Sequence, residues 1–331
     1  MGWGLRTRLR RAWGSKPSKP VILMYHRIAA TDIDPWELAV SPTDFEQQMR
    51  ALARTRRVLP LREFVRRHVE GSLPRNAAAI TFDDGYACNA LVAGPLLETL
   101  GLPATFFLAT AMLGRANEFW SDALERVVFD SKAGGPARVV VDHYREVHID
   151  LGECADDNQL GRGWRAMQEP PRTRRETAYL KLWEFLKQVP LEVQYDAINS
   201  LACQVGSDLK PRASHRPMTF DEARTHSARA GLDISGHTES HLSLPMWDRE
   251  VQLREIRQSK QTCEELSGRP CVSFAYPYGD YSNETVECAK EAGLDCALSA
   301  FPKSIDDTDS VFALPRLMMR NGNLDEQVGF D

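Results

Sequence analysis

The sequence predicts an α/β protein whose strands run largely parallel, and three observations carry that prediction. Short apolar runs rich in β-branched and aromatic residues recur along the chain, amphipathic helical stretches lie between several of them, and no internal repeat or long low-complexity segment breaks the alternation. At 331 residues, 43% of them hydrophobic, the chain can bury one large core or two ordinary ones.

The first strand is expected at PVILMYH (20–26), followed by a helix over Asp44–Arg54 with Asp44 as its N-cap. AAAITFD (77–83) reads as the next strand, Asn89–Leu100 as a helix and ATFFLAT (104–110) as a third strand. The pattern then changes. Residues 111–215 are charged, bear tryptophans and show little strand signal beyond RVVVDHYREVHI (138–149), with a helical stretch around Arg174–Val189. A segment of this length is expected to be a structured, largely helical insertion, serving either as a cap or substrate-selecting subdomain or simply as a cover for one side of the core. The alternation resumes with LDISGH (232–237), a helix over Asp248–Ser267, CVSFAYP (271–277), a helix over Ser282–Ala292 with Ser282 as N-cap, and DCALSAF (295–301). Gly101, Gly268 and Gly293 stand where helices should end. This divides the chain into an N-terminal arm (1–19), a core domain (20–110 and 216–320), the insertion, and a tail (321–331).

A net charge of −5 argues against broad attraction to nucleic acid. The opening GLRTRLRRAWGSKPSKP is locally basic, with Arg6, Arg8, Arg10, Arg11, Lys16 and Lys19, but no apolar run of signal-peptide or membrane-spanning length follows it. The expectation is a cytoplasmic protein whose basic arm is a solvated terminus or a peripheral contact with an anionic membrane surface. Seven cysteines, at 88, 154, 203, 263, 271, 288 and 296, show no CxxC or zinc-ribbon spacing, which suits a reducing compartment without disulfides.

The chemistry is concentrated in two short motifs. In TFDDGY, Asp83 and Asp84 leave an apolar strand side by side, and two ionised carboxylates so close repel unless something positive holds them. Alone, such a DDG is an ordinary solvated turn. In GHTESHLSL, His237 and His241 follow the strand-like LDIS as the aspartates follow theirs. The C-terminal ends of parallel strands are where barrels assemble active sites, and two imidazoles with one carboxylate leave open positions on a hydrolytic metal. One aspartate would bind the ion and its neighbour would stay free to take a proton.

Together with FAYPYGDYS (274–282), these motifs resemble those of the polysaccharide deacetylases, the NodB-homology or family-4 carbohydrate esterases. The resemblance covers about 20–110 and 216–320. It implies a distorted (β/α)7-like barrel with Asp83 as general base, Asp84, His237 and His241 as metal ligands, and the Tyr278 N–H at the oxyanion. Two departures stand out. The arginine that many members place three residues before the tyrosine is Ala275 here, so Arg316, in LPR, is a candidate partner for Asp83, a surface arginine being the alternative. The family's C-terminal LxxH is absent, and its pattern occurs instead as Leu23-Met24-Tyr25-His26, as in the circularly permuted members such as poly-N-acetylglucosamine deacetylases. His26 would then be the general acid, with Leu23 lining the acetyl pocket and Asp34 and Trp36 of DIDPW as supporting residues.

The resemblance implies a metal-dependent hydrolase that removes N-acetyl groups from amino sugars of a polysaccharide, an oligosaccharide or a lipid- or nucleotide-linked precursor. One divalent ion is expected, zinc by default, with cobalt, nickel or iron also fitting the ligands. An amino-sugar deformylase, an O-acetyl esterase and a non-catalytic glycan-binding module are the rival readings. Trp36, Trp120, Trp164, Trp183 and Trp247 could stack on sugar rings or serve in packing.

Overall fold

The computed structural model describes residues 19–140, 145–153 and 161–328. The arm with Arg6 to Lys16, Cys154 and part of the 138–149 run lie outside the described residues.

The chain opens with β1 (Val21–Tyr25), all five residues buried. β2 (Arg27–Ile28) and β3 (Ala39–Val40) pair with each other apart from the main sheet. α1 (Pro42–Thr55) is capped by Ser41, whose hydroxyl accepts the Asp44 N–H. Asp44 is therefore a first-turn residue rather than the cap, because Pro42, which has no N–H to lose, starts the helix two residues earlier. β4 (Arg57–Val58), α2 (Leu61–Val69) and β5 (Ala77–Phe82) follow, then a π-helical turn at Asn89–Ala93 running into α3 (Gly94–Leu100), and β6 (Ala104–Leu108). Between β6 and the next sheet strand stand α4 (Trp120–Phe129), the antiparallel hairpin of β7 (Pro136–Val140) and β8 (Glu146–Asp150), α5 (Arg174–Leu186), α6 (Leu191–Val205) and α7 (Phe220–Ser227). The chain returns to the sheet with β9 (Leu232–Gly236), α8 (Arg249–Ser267), β10 (Ser273–Ala275), α9 (Asn283–Glu291) and β11 (Cys296–Leu298), and finishes with β12 (Leu317–Met318) and α10 (Leu324–Val328). Asp248 and Ser282 cap α8 and α9 through their side chains, and α3 and α8 end at Gly101 and Gly268 in the left-handed conformation.

The main sheet runs β11-β10-β9-β6-β5-β1-β12, every pairing parallel, with β4 added beside β5. It curls into a distorted barrel. Alternate residues on each strand face opposite ways, and the two resulting sets pack in separate cores. Ile22, Ala77, Ala79, Phe107, Ala275 and Leu298, from strands that are not all neighbours, meet in one cluster, which is the interior of the curl. Leu23, Tyr25, Ile80, Phe82 and Phe106 face outward against Phe45, Met49 and Leu97 of the helices. The same parity carries forward to the strand ends: positions 26, 83 and 237 continue the inward set. The two sheet edges are joined by one stretch, since Leu314 bridges Leu298 of β11 while Leu317 pairs with Leu23 of β1.

The segment between β6 and β9 has a core of its own, built on residues such as Val127, Leu182 and Ile198, and it meets the barrel at Tyr86, Ala109, Trp36 and Tyr278. A buried polar seam crosses the same boundary. Arg27 Nη1 donates to Asp122 Oδ1 at 3.0 Å and the Tyr86 hydroxyl to Oδ2 at 2.8 Å, while Arg212 pairs with Glu118 and Glu125, each at 2.9 Å. Burial pushes the Glu125 carboxyl up to about 8 and that of Asp122 to about 6 against the pull of Arg27, so the seam accommodates these two acids by weakening their ionisation. Among the described residues no helix is long and apolar enough to cross a membrane.

His226 of α7 is wedged in the outer core, edge-on to Phe106 with ring centroids 4.1 Å apart, and both its ring nitrogens are buried without a partner. Burial, aided by the charge of Arg229, pushes its imidazole down to about 3. Above its ordinary value of 6.5 both folded and unfolded chains keep it neutral. Between 6.5 and about 3 only the unfolded chain takes the proton, so this contribution to stability is lost as pH falls through that window. The slope for one group is about 1.4 kcal/mol per pH unit. Denaturant melts from pH 7 to 4 should therefore show His226→Leu losing less stability with acid than the native chain; parallel slopes would contradict the account.

Candidate active site

The site begins where β5 ends. Asp83 continues the ladder, its N–H donating to the Tyr25 carbonyl at 2.9 Å, and its side chain stays on the inward face. Asp84 then turns sharply with φ +72°, and Gly85 follows at φ +88°. A Cβ on Gly85 would stand 3.0 Å from the Leu108 side chain, so both the conformation and the space call for glycine. The turn separates the two carboxylates: Asp83 points into the barrel and Asp84 across its rim.

Each aspartate has a different cation. Arg316, fully buried, grips Asp83 with two parallel bonds, Nη1 to Oδ1 and Nη2 to Oδ2, both 2.7 Å, and its Nε donates to the Ser299 carbonyl at 2.8 Å. Burial opposes the charge of Asp83, but Arg316 and then His237 outweigh it and hold the carboxyl below its ordinary range. Asp84 faces two imidazoles, with Oδ1 3.4 Å from His237 Nε2 and 3.1 Å from His241 Nε2. Burial again opposes ionisation, and the two histidines hold it well below the ordinary value.

The donor set fits a divalent ion. His237 Nδ1 lies 2.8 Å from the Ala275 carbonyl, which can only accept, so that nitrogen carries the proton and Nε2 presents its lone pair toward Asp84. His241 Nδ1 is 3.2 Å from the Tyr278 hydroxyl, leaving its Nε2 on the same point. One donor atom from each of Asp84, His237 and His241 lies within 4.8 Å of the others. An O/N/N set with both rings oriented by outer partners suits zinc and its first-row neighbours.

These groups line a cleft of about 630 Å³, together with His26, Met24 and Trp36. Burial pushes the His26 imidazole below its ordinary value, while Asp84 and Asp83 pull the other way. A larger depression of about 1000 Å³, around Asp32 and Arg162, shares Arg320 with this cleft but holds none of the converging groups.

Asp83, Asp84, His237, His241, Tyr278, Arg316 and His26 are thus brought together at one end of the barrel. The surface alternative for Arg316 is excluded by its complete burial. Two supporting residues lie elsewhere. Leu23 points outward into the helix-facing core, and Met24, one step along the strand, takes the inward place. The Asp34 carboxylate caps a turn, accepting the Leu38 and Ala39 N–H groups at 3.0 and 2.7 Å and Arg27 at 3.4 Å. Of the tryptophans, Trp120 and Trp164 are buried in the insertion core, whereas Trp36 and Trp183 line the cleft. Sequence reading singled out Trp183 only as one of five tryptophans and missed Phe119 and Lys187; all three reach the cleft from the segment between β6 and β9. No motif marks them, and only a tertiary contact shows their place.

An α/β barrel whose strand ends converge on a carboxylate pair and two imidazoles is a defined class, and comparison with known proteins shows which family it resembles. The polysaccharide deacetylase family model matches residues 70–130 and 213–297, the stretches that carry Asp83, Asp84, His237, His241 and Tyr278. YxkH of Bacillus subtilis (strain 168), named as a polysaccharide deacetylase, is 25% identical over 108 residues, a stretch that spans 33% of this chain and 39% of YxkH. Over these stretches the chain is similar to the polysaccharide deacetylase family. Solved structures of similar shape include Streptococcus pyogenes deacetylase PplD in complex with acetate (17% identity, TM-score 0.56, covering 92% of this chain and 94% of that one). IcaB from Ammonifex degensii is another (16% identity, TM-score 0.55, 91% and 92% covered). At these identities the likeness is one of fold.

Removing one partner of a buried, doubly bonded ion pair strands the other, a loss of about 3–5 kcal/mol. Arg316→Met should lower stability by that order at neutral pH, whereas the double change Arg316→Met/Asp83→Asn should recover a large part of it. A thermal or denaturant melt measures both; an unchanged single variant would show that Asp83 is not held by this arginine.

Proposed function

We propose that the chain is a divalent-ion-dependent hydrolase that removes the N-acetyl group of an amino sugar. The observation that carries this reading is the division of labour between adjacent aspartates, Asp83 locked to Arg316 and Asp84 facing two oriented imidazoles in one cleft. The match to the polysaccharide deacetylase family model and the acetate bound by the structural relative PplD support the same chemistry.

Asp84, His237 and His241 would hold the ion, zinc by preference, which supplies a more acidic water and polarises the acyl oxygen. Asp83 takes the proton of the attacking water. Arg316 keeps it ionised at neutral pH and fixes both its oxygens, trading some basicity for a fixed position. The Tyr278 N–H, on a turn held at φ +60°, serves the oxyanion. His26, carried on the inward side of β1, gives a proton to the departing nitrogen when it is an imidazolium. Leaving-group protonation is what distinguishes amide from activated-ester hydrolysis, and each such proton transfer contributes about 10²–10⁴-fold. The substrate class we favour is an N-acetylated glycan or a lipid- or nucleotide-linked amino sugar, with the insertion forming one wall of the cleft through Trp183 and Lys187.

Two experiments test the assignments. Asp83→Asn should retain bound zinc and lose most acetate release from N-acetylated glycans, while Asp84→Asn should lose zinc as well; elemental analysis with an acetate assay separates them, and the reverse pattern would exchange their roles. His26→Ala should slow amide hydrolysis by about 10²-fold or more but spare an activated acetate ester, whose leaving group needs little protonation. Equal losses on both substrates would make His26 a positioning residue instead.

A further inference from the structure

The insertion touches the site through the last turn of α5 and its C-cap. Lys187 Nζ lies 2.6 Å from Asp280 Oδ2 and 4.5 Å from the centre of the Tyr278 ring, and its side chain is 18% exposed. Asp280 also accepts the Ser243 hydroxyl at 2.8 Å, so the carboxylate ties together the 277–280 turn, the loop after His241 and the insertion. Trp183, one turn earlier on α5, presents itself edge-to-face to Tyr278 with centroids 5.7 Å apart and packs on Trp36 at 4.3 Å. Tyr278 sits in the left-handed region, φ +60° and ψ 1°, which a tyrosine does not adopt without support. Its hydroxyl lies 3.2 Å from His241 Nδ1.

We propose that Lys187 is a positioning residue: its ammonium, fixed by Asp280 over the Tyr278 ring, holds the strained 277–280 turn in place and through the Tyr278 hydroxyl sets the orientation of the His241 ring. The segment between the two family-matched stretches, 131–212, is then a working part of the site and not only a cover. The physical basis is that the half-buried ammonium, at 18% side-chain exposure, gains from the aromatic face of Tyr278 as well as from Asp280, whose 38% exposure weakens the ion pair alone. Outer partners of a metal-binding histidine commonly set its affinity, with losses of about 10–100-fold when they are removed. Lys187 acts one step further out, so its effect belongs at the lower end of that range. The inference rests on the reading of His241 as a ligand for its effect on ion binding, but not for its effect on the turn.

The test uses Lys187→Met and Lys187→Arg in the full chain. Because Lys187 lines the cleft and could touch substrate, both readouts are made without substrate. The first is hydrogen exchange of a peptide covering 276–282 in the metal-free protein. The second is zinc affinity by titration calorimetry. Lys187→Met should speed exchange in that peptide, leave exchange in β1 and β5 unchanged, and weaken zinc by about tenfold; Lys187→Arg, which keeps the cation, should restore both. Native exchange and native affinity in Lys187→Met would overturn the proposal, as would a loss that Lys187→Arg fails to restore. If the native chain binds no zinc, the metal reading falls, and exchange in the 276–282 peptide alone decides the role of Lys187.

Discussion

The paired bonds between Arg316 and Asp83 are the constraint on which the rest of the site depends. A buried carboxylate without a partner gives up its charge, and a second carboxylate beside it makes ionisation harder still. The guanidinium, fully buried and anchored by the Ser299 carbonyl, removes that difficulty for Asp83. Asp84 is then free to face the histidines. The geometry of the fork also explains why the aspartates must diverge: a planar, two-point contact fixes one carboxylate plane, and the left-handed turn at Asp84 carries the other away from it.

Backbone strain is concentrated where the chemistry is. Among the described residues, five that are not glycine have positive φ, and four of them, Asp84, Thr238, His241 and Tyr278, belong to the site or adjoin it. Each such residue costs on the order of 1–3 kcal/mol and persists only where its surroundings over-determine it. The surroundings are visible here. The Thr238 carbonyl receives the Thr110 N–H at 3.2 Å, the Asp84 carbonyl receives that of Ala109 at 3.1 Å, and the Glu239 carbonyl that of Ala111 at 2.7 Å. The loop after β6 thus serves as a backbone brace for the turns that carry Asp84 and the two histidines.

Much of this was legible in the sequence. Strand cores are strong signals because β-branched and aromatic runs have few alternatives, and all six expected strands exist, each trimmed by a few residues at its ends. The adjacency of Asp83 and Asp84, and the spacing of His237 and His241, are local facts that survive folding. The segment between β6 and β9 was legible as an interruption of the alternation but not as an architecture: its strand signal belongs to a hairpin, β7 and β8, and α4 carries a mixed face because its Asp122 and Glu125 are buried against Arg27 and Arg212. Leu23 and Asp34 were misplaced for opposite reasons. A motif written as letters ignores strand parity, which turns Leu23 outward, and it ignores the turn at 34–39, whose N–H groups claim the Asp34 carboxylate. The arginine at 316 could be proposed only because its usual position was occupied by Ala275.

The stretch that joins the two sheet edges has a further meaning when the chain is followed in the order a ribosome makes it. Asp83 is synthesised 233 residues before the arginine that neutralises it. Until 314–318 emerges, β1 lacks its outer neighbour and β11 lacks its bridge, so the barrel is an open sheet with an unmatched charge at one end. Translation therefore joins the two sheet edges and supplies the partner of Asp83 from one late stretch of chain. A chain that stopped short of Arg316 would keep every residue of the DDG and HTESH motifs and still lack a finished site, which makes completeness of synthesis itself a checkpoint on activity.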